Sequence, residues 1–143
     1  MAVKRIAPAE AAERMKEGYL YLDVRSVPEF AEGHPPGARN VPIVHLGPGG
    51  SVQNTDFQRA ILAHFPLDAR LVLGCKSGGR SQRAAMMLEA AGFTQLLEMR
   101  GGMSGEGDAM GRLVEAGWAE VGLPVSSVAE QGASWQELAA KAK

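Results

Sequence analysis

Apolar runs alternate with amphipathic segments along this chain, and the alternation predicts its elements. Five short runs have the composition of β-strands, and the run at residues 71–74 is apolar throughout, as expected for a central strand buried on both faces. The predicted strands are residues 4–6, 19–24, 40–44, 71–74 and 96–99. Strands separated by helical segments are typical of an α/β domain with a mainly parallel sheet.

Capping and helix-breaking residues mark the predicted helices. Pro8 lies at the start of the first helix and Gly18 just beyond its end, while Ser26 and Ser134 each begin a Ser-x-x-Glu capping box. The predicted helices are residues 8–17, 26–31, 56–64, 81–91 and a C-terminal helix that follows Ser134. Glycine and proline predict a loop over residues 45–52, and the glycine-rich segment 101–117 is expected to contain a helical turn near residues 111–116.

Composition and charge narrow the possible partners. The 143 residues are 45% hydrophobic, which fits one compact domain, and 15 Lys and Arg against 16 Asp and Glu give a formal charge of −1. No basic face for nucleic acid is therefore expected. No stretch approaches the roughly 20 apolar residues that span a bilayer, and the start lacks the apolar run of a signal peptide. We expect a cytoplasmic protein that binds neither nucleic acid nor membrane.

Cys75 is the single cysteine, which excludes an internal disulfide and a multi-cysteine zinc site. It begins the segment Cys75-Lys76-Ser77-Gly78-Gly79-Arg80-Ser81, between an apolar strand and an amphipathic helix. The cysteine therefore lies at the carboxyl end of a strand, where ligands of open α/β sheets bind. The paired glycines allow successive N–H groups to converge on an anion, and the helix N-terminus adds its positive end.

These surroundings predict a reactive thiol with a depressed pKa, because helix N-termini and nearby cations both stabilise a thiolate. The polar neighbours Lys76, Ser77 and Arg80 also indicate that the sulfur is exposed. The alternative is a buried, inert cysteine that happens to precede a turn.

The loop resembles the active-site loop of rhodanese-like domains, in which four residues separate the cysteine from an arginine and a serine. Leu22-Asp23-Val24-Arg25 followed by Glu29-Phe30 is similar to the first motif of that family, and residues 33–42 are similar to its second. Gly101-Gly102 and residues 118–125 resemble its C-terminal motif. Trp118 lies 16 residues after Gly102, farther than in the family. Residues 103–117 are therefore an insertion, or the match at Trp118 is accidental.

The resemblance implies a single rhodanese-like domain over residues 1–143, with a core at about 6–125 and a C-terminal extension, 126–143, predicted to be helical. Its fold would have three layers, with a five-stranded, mainly parallel sheet flanked by helices. The implied activity is that of a thiosulfate:cyanide sulfurtransferase that needs no metal or organic cofactor. Donors would be thiosulfate or persulfides, and acceptors would be cyanide, a thiol or a sulfur-relay protein.

The resemblance also assigns roles to residues of the site. Cys75 would carry the sulfur as a persulfide, while Asp23 and Arg25 would support the second loop by pairing with backbone or with charges such as Glu29. The expected substrate-binding residues form the rest of the loop: Lys76, Ser77, Gly78, Gly79, Arg80 and Ser81.

Several alternatives stay open. Cysteine-dependent phosphatases and arsenate reductases also place cysteine and arginine around an anion, but the phosphatases related to this fold have five intervening residues rather than four. A sulfur-relay or regulatory binding module with little thiosulfate turnover is a further possibility. Arg80 contacts the substrate or holds the loop through a carboxylate. His34 is interpreted as a structural hydrogen-bonding residue, and residues 103–117 either shape acceptor access or form a solvent loop.

Overall fold

The computed structural model describes residues 3–76 and 79–141, in which strands and helices alternate. The strands are β1 (Lys4–Ile6), β2 (Leu20–Asp23), β3 (Arg39–Asn40), β4 (Val44–Gly47), β5 (Gly50–Gln53), β6 (Arg70–Gly74), β7 (Gln95–Met99), β8 (Glu106–Gly107) and β9 (Leu113–Glu115). The helices are α1 (Pro8–Lys16), α2 (Val27–Glu32), α3 (Phe57–His64), α4 (Gly79–Ala90) and α5 (Trp135–Lys141).

A five-stranded parallel sheet in the order β1-β7-β6-β2-β3 forms the centre of the domain. This confirms the predicted sheet and its flanking helices. The central strand β6 pairs with β2 on one side and with β7 on the other, so that Leu73 lies beside both Leu22 and Glu98. Because all five strands run in one direction, their carboxyl ends meet at one edge, and the cysteine loop begins there.

Alternation along β6 divides the core into two layers, one on each face of the sheet. Leu71, Leu73 and then Cys75 belong to the cluster that includes residues of α3, α4 and α5. Val72 points to the opposite face, where it packs in the cluster that contains Ala11 of α1. Successive strand residues alternate between faces, so β6 supplies both layers.

Two predicted elements differ from the observed ones around residues 40–53. The predicted strand 40–44 is wrong, because β3 ends at Asn40 and a separate strand, β4, starts at Val44. Pro42 has no N–H with which to continue a ladder. The predicted loop 45–52 is also wrong, because β4 and β5 form an antiparallel hairpin whose turn contains Pro48 and Gly49. The glycine and proline there terminate two short strands.

A second hairpin replaces the helical turn that was predicted near residues 111–116. β8 pairs with β9 in antiparallel fashion, and the Asp108 carboxylate accepts hydrogen bonds from the N–H groups of Met110 and Arg112. Gly111 has φ +81°, a conformation that closes a turn and that an α-helix does not contain.

The C-terminal extension packs against the domain, and its predicted helix is confirmed as α5. Ser126 and His34 exchange two backbone hydrogen bonds of 2.8 Å, and the Asn40 N–H donates to the Ala133 carbonyl. Leu138 of α5 is buried in the same cluster as β6. None of the helices in the described residues is long and apolar enough to cross a membrane.

Candidate active site

Cys75 directly follows β6 and is 1% exposed, so the expectation of an exposed sulfur is wrong for this structure. The side chain continues the inward alternation of Leu71 and Leu73 and thereby enters the layer beneath α4. Ser77 and Gly78, which were predicted to bind substrate, lie outside the described residues.

Ser81 of α4 contacts the sulfur through both its backbone and its side chain. Its N–H donates to the Cys75 Sγ at 3.4 Å, and its Oγ lies 3.4 Å from the same Sγ. Gly79 begins α4, two residues before the predicted start, so the positive end of the helix is directed at the loop. Ser81 therefore supplies one of the N–H groups that the sequence predicts around the sulfur.

The turn that follows β7 supports the cysteine loop from one side. The Met103 N–H donates to the Cys75 carbonyl at 2.8 Å, and the Ser104 N–H donates to the Lys76 carbonyl at 2.9 Å. A Cβ on Gly102 would lie 2.4 Å from the Cys75 carbonyl oxygen, so only glycine permits this approach. The exit of β7 therefore lies against the cysteine loop, as the order of the strands predicts.

Arg80 forms a bidentate ion pair with Glu29, the residue that completes the capping box of α2. Its two terminal nitrogens lie 2.7 and 2.9 Å from the two carboxylate oxygens. Burial acts to raise the pKa of Glu29, but hydrogen bonds from Arg80 and Ser26 outweigh it and lower the pKa from 4.5 to about 2. These contacts support the interpretation that Arg80 holds the loop through a carboxylate.

Asp23 and Arg25 form a buried pair at the end of β2, 2.7 Å apart. The Arg25 guanidinium also donates to the Gly33 carbonyl at 2.5 Å, which links β2 to the second loop. Glu29, the partner suggested from the sequence, binds Arg80 instead. The contacts support a structural role for Asp23 and Arg25.

His34 is also engaged in structural contacts. Its ring stacks on Phe30 at 3.7 Å between centroids, and its two nitrogens lie 2.7 and 3.2 Å from the carbonyls of Phe30 and Val128. These contacts agree with the predicted hydrogen-bonding role.

A pocket of about 450 Å³ adjoins the cysteine loop, lined by Glu29, Val44, Leu46, Ser51, Lys76, Arg80 and Arg83. Lys76 and Arg83 are exposed, and neither has an ion-pair partner among the residues described. These two side chains give the pocket its positive charge, because the charge of Arg80 is neutralised by Glu29.

Trp118 occupies a buried position next to the glycine pair. Its N–H donates to the Gly102 carbonyl at 2.8 Å, its indole Nε1 donates to the Pro124 carbonyl at 2.7 Å, and its ring packs against Tyr21. Because Trp118 returns directly to Gly102, residues 103–117 leave and rejoin the core at one place. This geometry supports the interpretation of the segment as an insertion.

Glu98 of β7 was not identified from the sequence. It is 1% exposed, accepts a hydrogen bond from the Ser81 hydroxyl and binds the Arg5 guanidinium at 2.5 Å. Burial raises the pKa of Glu98, although the hydrogen bonds from Ser81 and Arg5 act to lower it. The sequence does contain a signal that could identify Glu98: it lies two residues after Leu96, on the inward face of a predicted strand.

No group of three or more potential metal ligands occurs in residues 3–76 and 79–141. The part of the site that the structure describes therefore consists of a buried thiol, a serine, a backbone cradle and several ion pairs.

Comparisons with known proteins agree with this arrangement. The sequence model of the rhodanese-like domain matches residues 7–106. Thiosulfate sulfurtransferase 16, chloroplastic, from Arabidopsis thaliana is 38% identical over 117 residues, covering 82% of this chain and 88% of that protein. Protein HIGH ARSENIC CONTENT 1, mitochondrial, from the same plant is 36% identical over 95 residues, covering 66% of this chain and 56% of that protein.

One solved structure is similar to most of this chain. The crystal structure of Rv0390 from M. tuberculosis superimposes with a TM-score of 0.73 at 26% identity, covering 90% of this chain and 100% of that one. The segment that matches the family model, residues 7–106, includes the cysteine loop, both motifs that precede it and the glycine pair that supports it. The chain therefore belongs to the rhodanese-like domain family.

Proposed function

We propose that this protein is a sulfurtransferase that moves sulfane sulfur from thiosulfate or a persulfide to a thiophilic acceptor through a Cys75 persulfide. The observation that carries the proposal is the Cys75 Sγ at the carboxyl end of β6, 3.4 Å from the Ser81 N–H in the first turn of α4. The name of the 38% identical Arabidopsis relative, a thiosulfate sulfurtransferase, supports it.

The first step is attack by the Cys75 thiolate on the outer sulfur of thiosulfate. A bond forms between Sγ and that sulfur, the sulfur–sulfur bond of thiosulfate breaks, and its electron pair leaves with sulfite. One negative charge then lies on the outer sulfur of the persulfide, where N–H groups of the loop can stabilise it. In the second step, cyanide or a thiolate attacks the outer sulfur, and the thiolate of Cys75 is released.

Lys76 and Arg83 favour anionic donors. They are exposed cations beside the pocket next to the loop, and thiosulfate carries two negative charges. Charges of one sign that line a concave site raise the local concentration of an oppositely charged substrate. Glu106 and Asp108 of the insertion, which could have opposed such a donor, are engaged by Arg5 and Arg112, respectively.

Replacement of Cys75 by serine tests the proposal. Cys75→Ser is expected to abolish thiosulfate:cyanide transfer, because a hydroxyl is not ionised at neutral pH and forms no persulfide. Activity would be measured as thiocyanate formation and the fold by circular dichroism. Substantial turnover by the folded variant would contradict the role of Cys75.

Arsenate reduction is a second candidate, favoured by the name of the 36% identical relative. Against it stands the engagement of Arg80 by Glu29, which occupies the guanidinium that an oxyanion would need. The four-residue spacing between Cys75 and Arg80 speaks against the related phosphatases. Arsenate reduction and hydrolysis of an aryl phosphate should be measured beside sulfur transfer. A persulfide that forms with little thiosulfate turnover would indicate the sulfur-relay alternative.

A further inference from the structure

A continuous line of polar contacts joins the sulfur to a buried carboxylate. The Cys75 Sγ lies 3.4 Å from the Ser81 Oγ, and the Ser81 hydroxyl donates a hydrogen bond to the Glu98 Oε2. All three residues are at most 1% exposed. Glu98 lies on β7 and Cys75 directly follows the adjacent strand β6. Both face the same layer, because Leu73 pairs with Glu98 and lies two residues before Cys75.

The hydrogen bonds among Cys75, Ser81 and Glu98 can be arranged in two ways, because the Ser81 hydroxyl has one proton to donate. When Glu98 is ionised, the hydroxyl donates to the carboxylate, and its oxygen accepts from a Cys75 S–H. When Glu98 is protonated, the carboxyl group donates to the Ser81 Oγ, and the hydroxyl donates to a Cys75 thiolate. The two arrangements differ by movement of one proton from sulfur to carboxylate through the hydroxyl, so the total charge is unchanged.

The groups around Glu98 act on its charge in opposite directions. Arg5 of β1 binds the carboxylate and favours its charge, whereas burial and the nearby Glu106 of β8 favour the neutral form. On the sulfur side, Arg80 is paired with Glu29, and Lys76 is exposed next to Cys75. Burial raises the pKa of Tyr21 on β2 well above 10, so its phenol is neutral.

Glu98 also has neighbours on the side away from the cysteine loop. It lines a cavity of about 440 Å³ together with Val3, Arg5, Gln82, Ala85, Met86 and Glu89. Met86 is 71% exposed, so the cavity opens to solvent beside α4.

We propose that Glu98 is a positioning residue for Cys75: through the Ser81 hydroxyl it determines whether the sulfur carries a proton, and it holds that proton while the sulfur is anionic. The importance of Glu98 for turnover rests on the proposed sulfurtransferase function, because a thiolate is needed to attack the donor. The protonation of Cys75 can nevertheless be measured without any turnover.

The test is the rate of Cys75 alkylation by iodoacetamide between pH 5 and 10. The Glu98→Gln amide can donate to the Ser81 Oγ but cannot take up a proton, so Ser81 is held as a donor to the sulfur. We expect the midpoint of the Glu98→Gln profile to fall by about one pH unit. Glu89→Gln, which removes another carboxylate of the same cavity, should leave the wild-type profile unchanged.

Ser81→Ala shows whether the effect passes through the hydroxyl. In the Ser81→Ala background, Glu98→Gln should shift the midpoint by less than about a third as much, since the connection is absent and only the through-space effect of the charge remains. The role of Glu98 would be overturned if Glu98→Gln shifted the midpoint equally in the wild-type and Ser81→Ala backgrounds, or if it caused no shift in the wild-type background.

The experiment remains decisive if a variant does not fold or if the wild type is inactive. If Glu98→Gln does not fold, Ser81→Ala alone must change the wild-type profile, and an unchanged profile would overturn the connection. If wild type transfers no sulfur, the alkylation profiles still report on Glu98. Failure of the proposed function is thereby distinguished from failure of this inference.

Discussion

Ion pairing decides which charged side chains around the sulfur are available to a substrate. Arg80 is committed to Glu29 and Arg25 to Asp23, whereas Lys76 and Arg83 are exposed beside the loop. The sequence predicted the loop because strand, cysteine, glycines and helix are contiguous in it. The partner of Arg80 comes from a distant element, and residue spacing alone does not identify it.

Lys76→Ala is expected to lower kcat/KM for thiosulfate by about fivefold, the effect of losing roughly 1 kcal/mol of attraction to the dianion. Stability should change little, because Lys76 is exposed. Lys16→Ala is the control, since Lys16 is an exposed lysine at the end of α1. An unchanged kcat/KM in Lys76→Ala would contradict the contribution of Lys76 to donor recognition.

Glu29→Gln should destabilise the protein by about 1–3 kcal/mol at neutral pH, because it leaves Arg80 without its ionic partner. Glutamine still completes a capping box, so the variant isolates the charge. The pKa of Glu29 is lowered from 4.5 to about 2 on folding, so its contribution is present above pH 4.5 and is lost as the pH falls toward 2.

Urea unfolding of wild type and Glu29→Gln from pH 2 to 7 measures this difference. The two free energies of unfolding should converge below pH 4.5, while Glu17→Gln, which removes an exposed carboxylate, should follow wild type. A gap that stays constant down to pH 2 would be inconsistent with the lowered pKa of Glu29.

At the scale of elements, the strand–loop–helix unit around Cys75 and four of the five strands of the sheet were predictable from apolar runs and capping residues. The fifth, β3, overlaps the predicted strand 40–44 only at Asn40. The two hairpins were not predictable, because Pro48, Gly49 and Gly111 indicate turns without showing that short strands flank them. Glu98 was not identified from the sequence for a related reason. Its proximity to Ser81 depends on the register between β6 and β7, which the sequence does not specify.

Gly102→Ala should destabilise the domain by about 2–4 kcal/mol and reduce sulfur transfer, because its Cβ would displace the Cys75 and Lys76 backbone. Gly111→Ala is the matched control. It also has a positive φ, but no heavy atom of the described residues lies within 4 Å of its added Cβ, so a cost of about 1 kcal/mol is expected. Urea unfolding and thiosulfate turnover measure both variants. Equal effects would show that steric contact with the loop is unimportant.

At the scale of the whole molecule, the sheet separates two apolar layers, and the C-terminal segment completes one of them. Leu138 and Ala133 are buried, and the His64 imidazole lies 2.7 Å from the Leu138 carbonyl. The capping box predicted α5 but not where it packs, because the short, polar C-terminal segment carries no signal for its docking site. The extension is thus part of the core that supports the cysteine loop.

Leu138→Ala should cost about 2–4 kcal/mol of unfolding free energy, as expected for a leucine removed from a packed layer. Leu62→Ala is the matched control on α3, where Leu62 is 44% exposed. Its cost should stay below about 1 kcal/mol. Similar costs for the two variants would show that α5 does not contribute to the core in solution.

The most direct measurement of the proposed function is the intact mass of the protein after incubation with thiosulfate under non-reducing conditions. We predict that wild type gains the mass of one sulfur atom, that cyanide removes it with release of thiocyanate, and that Cys75→Ser gains nothing. A wild-type mass that stays unchanged with thiosulfate and with persulfide donors, or an equal gain in Cys75→Ser, would contradict sulfur transfer through Cys75.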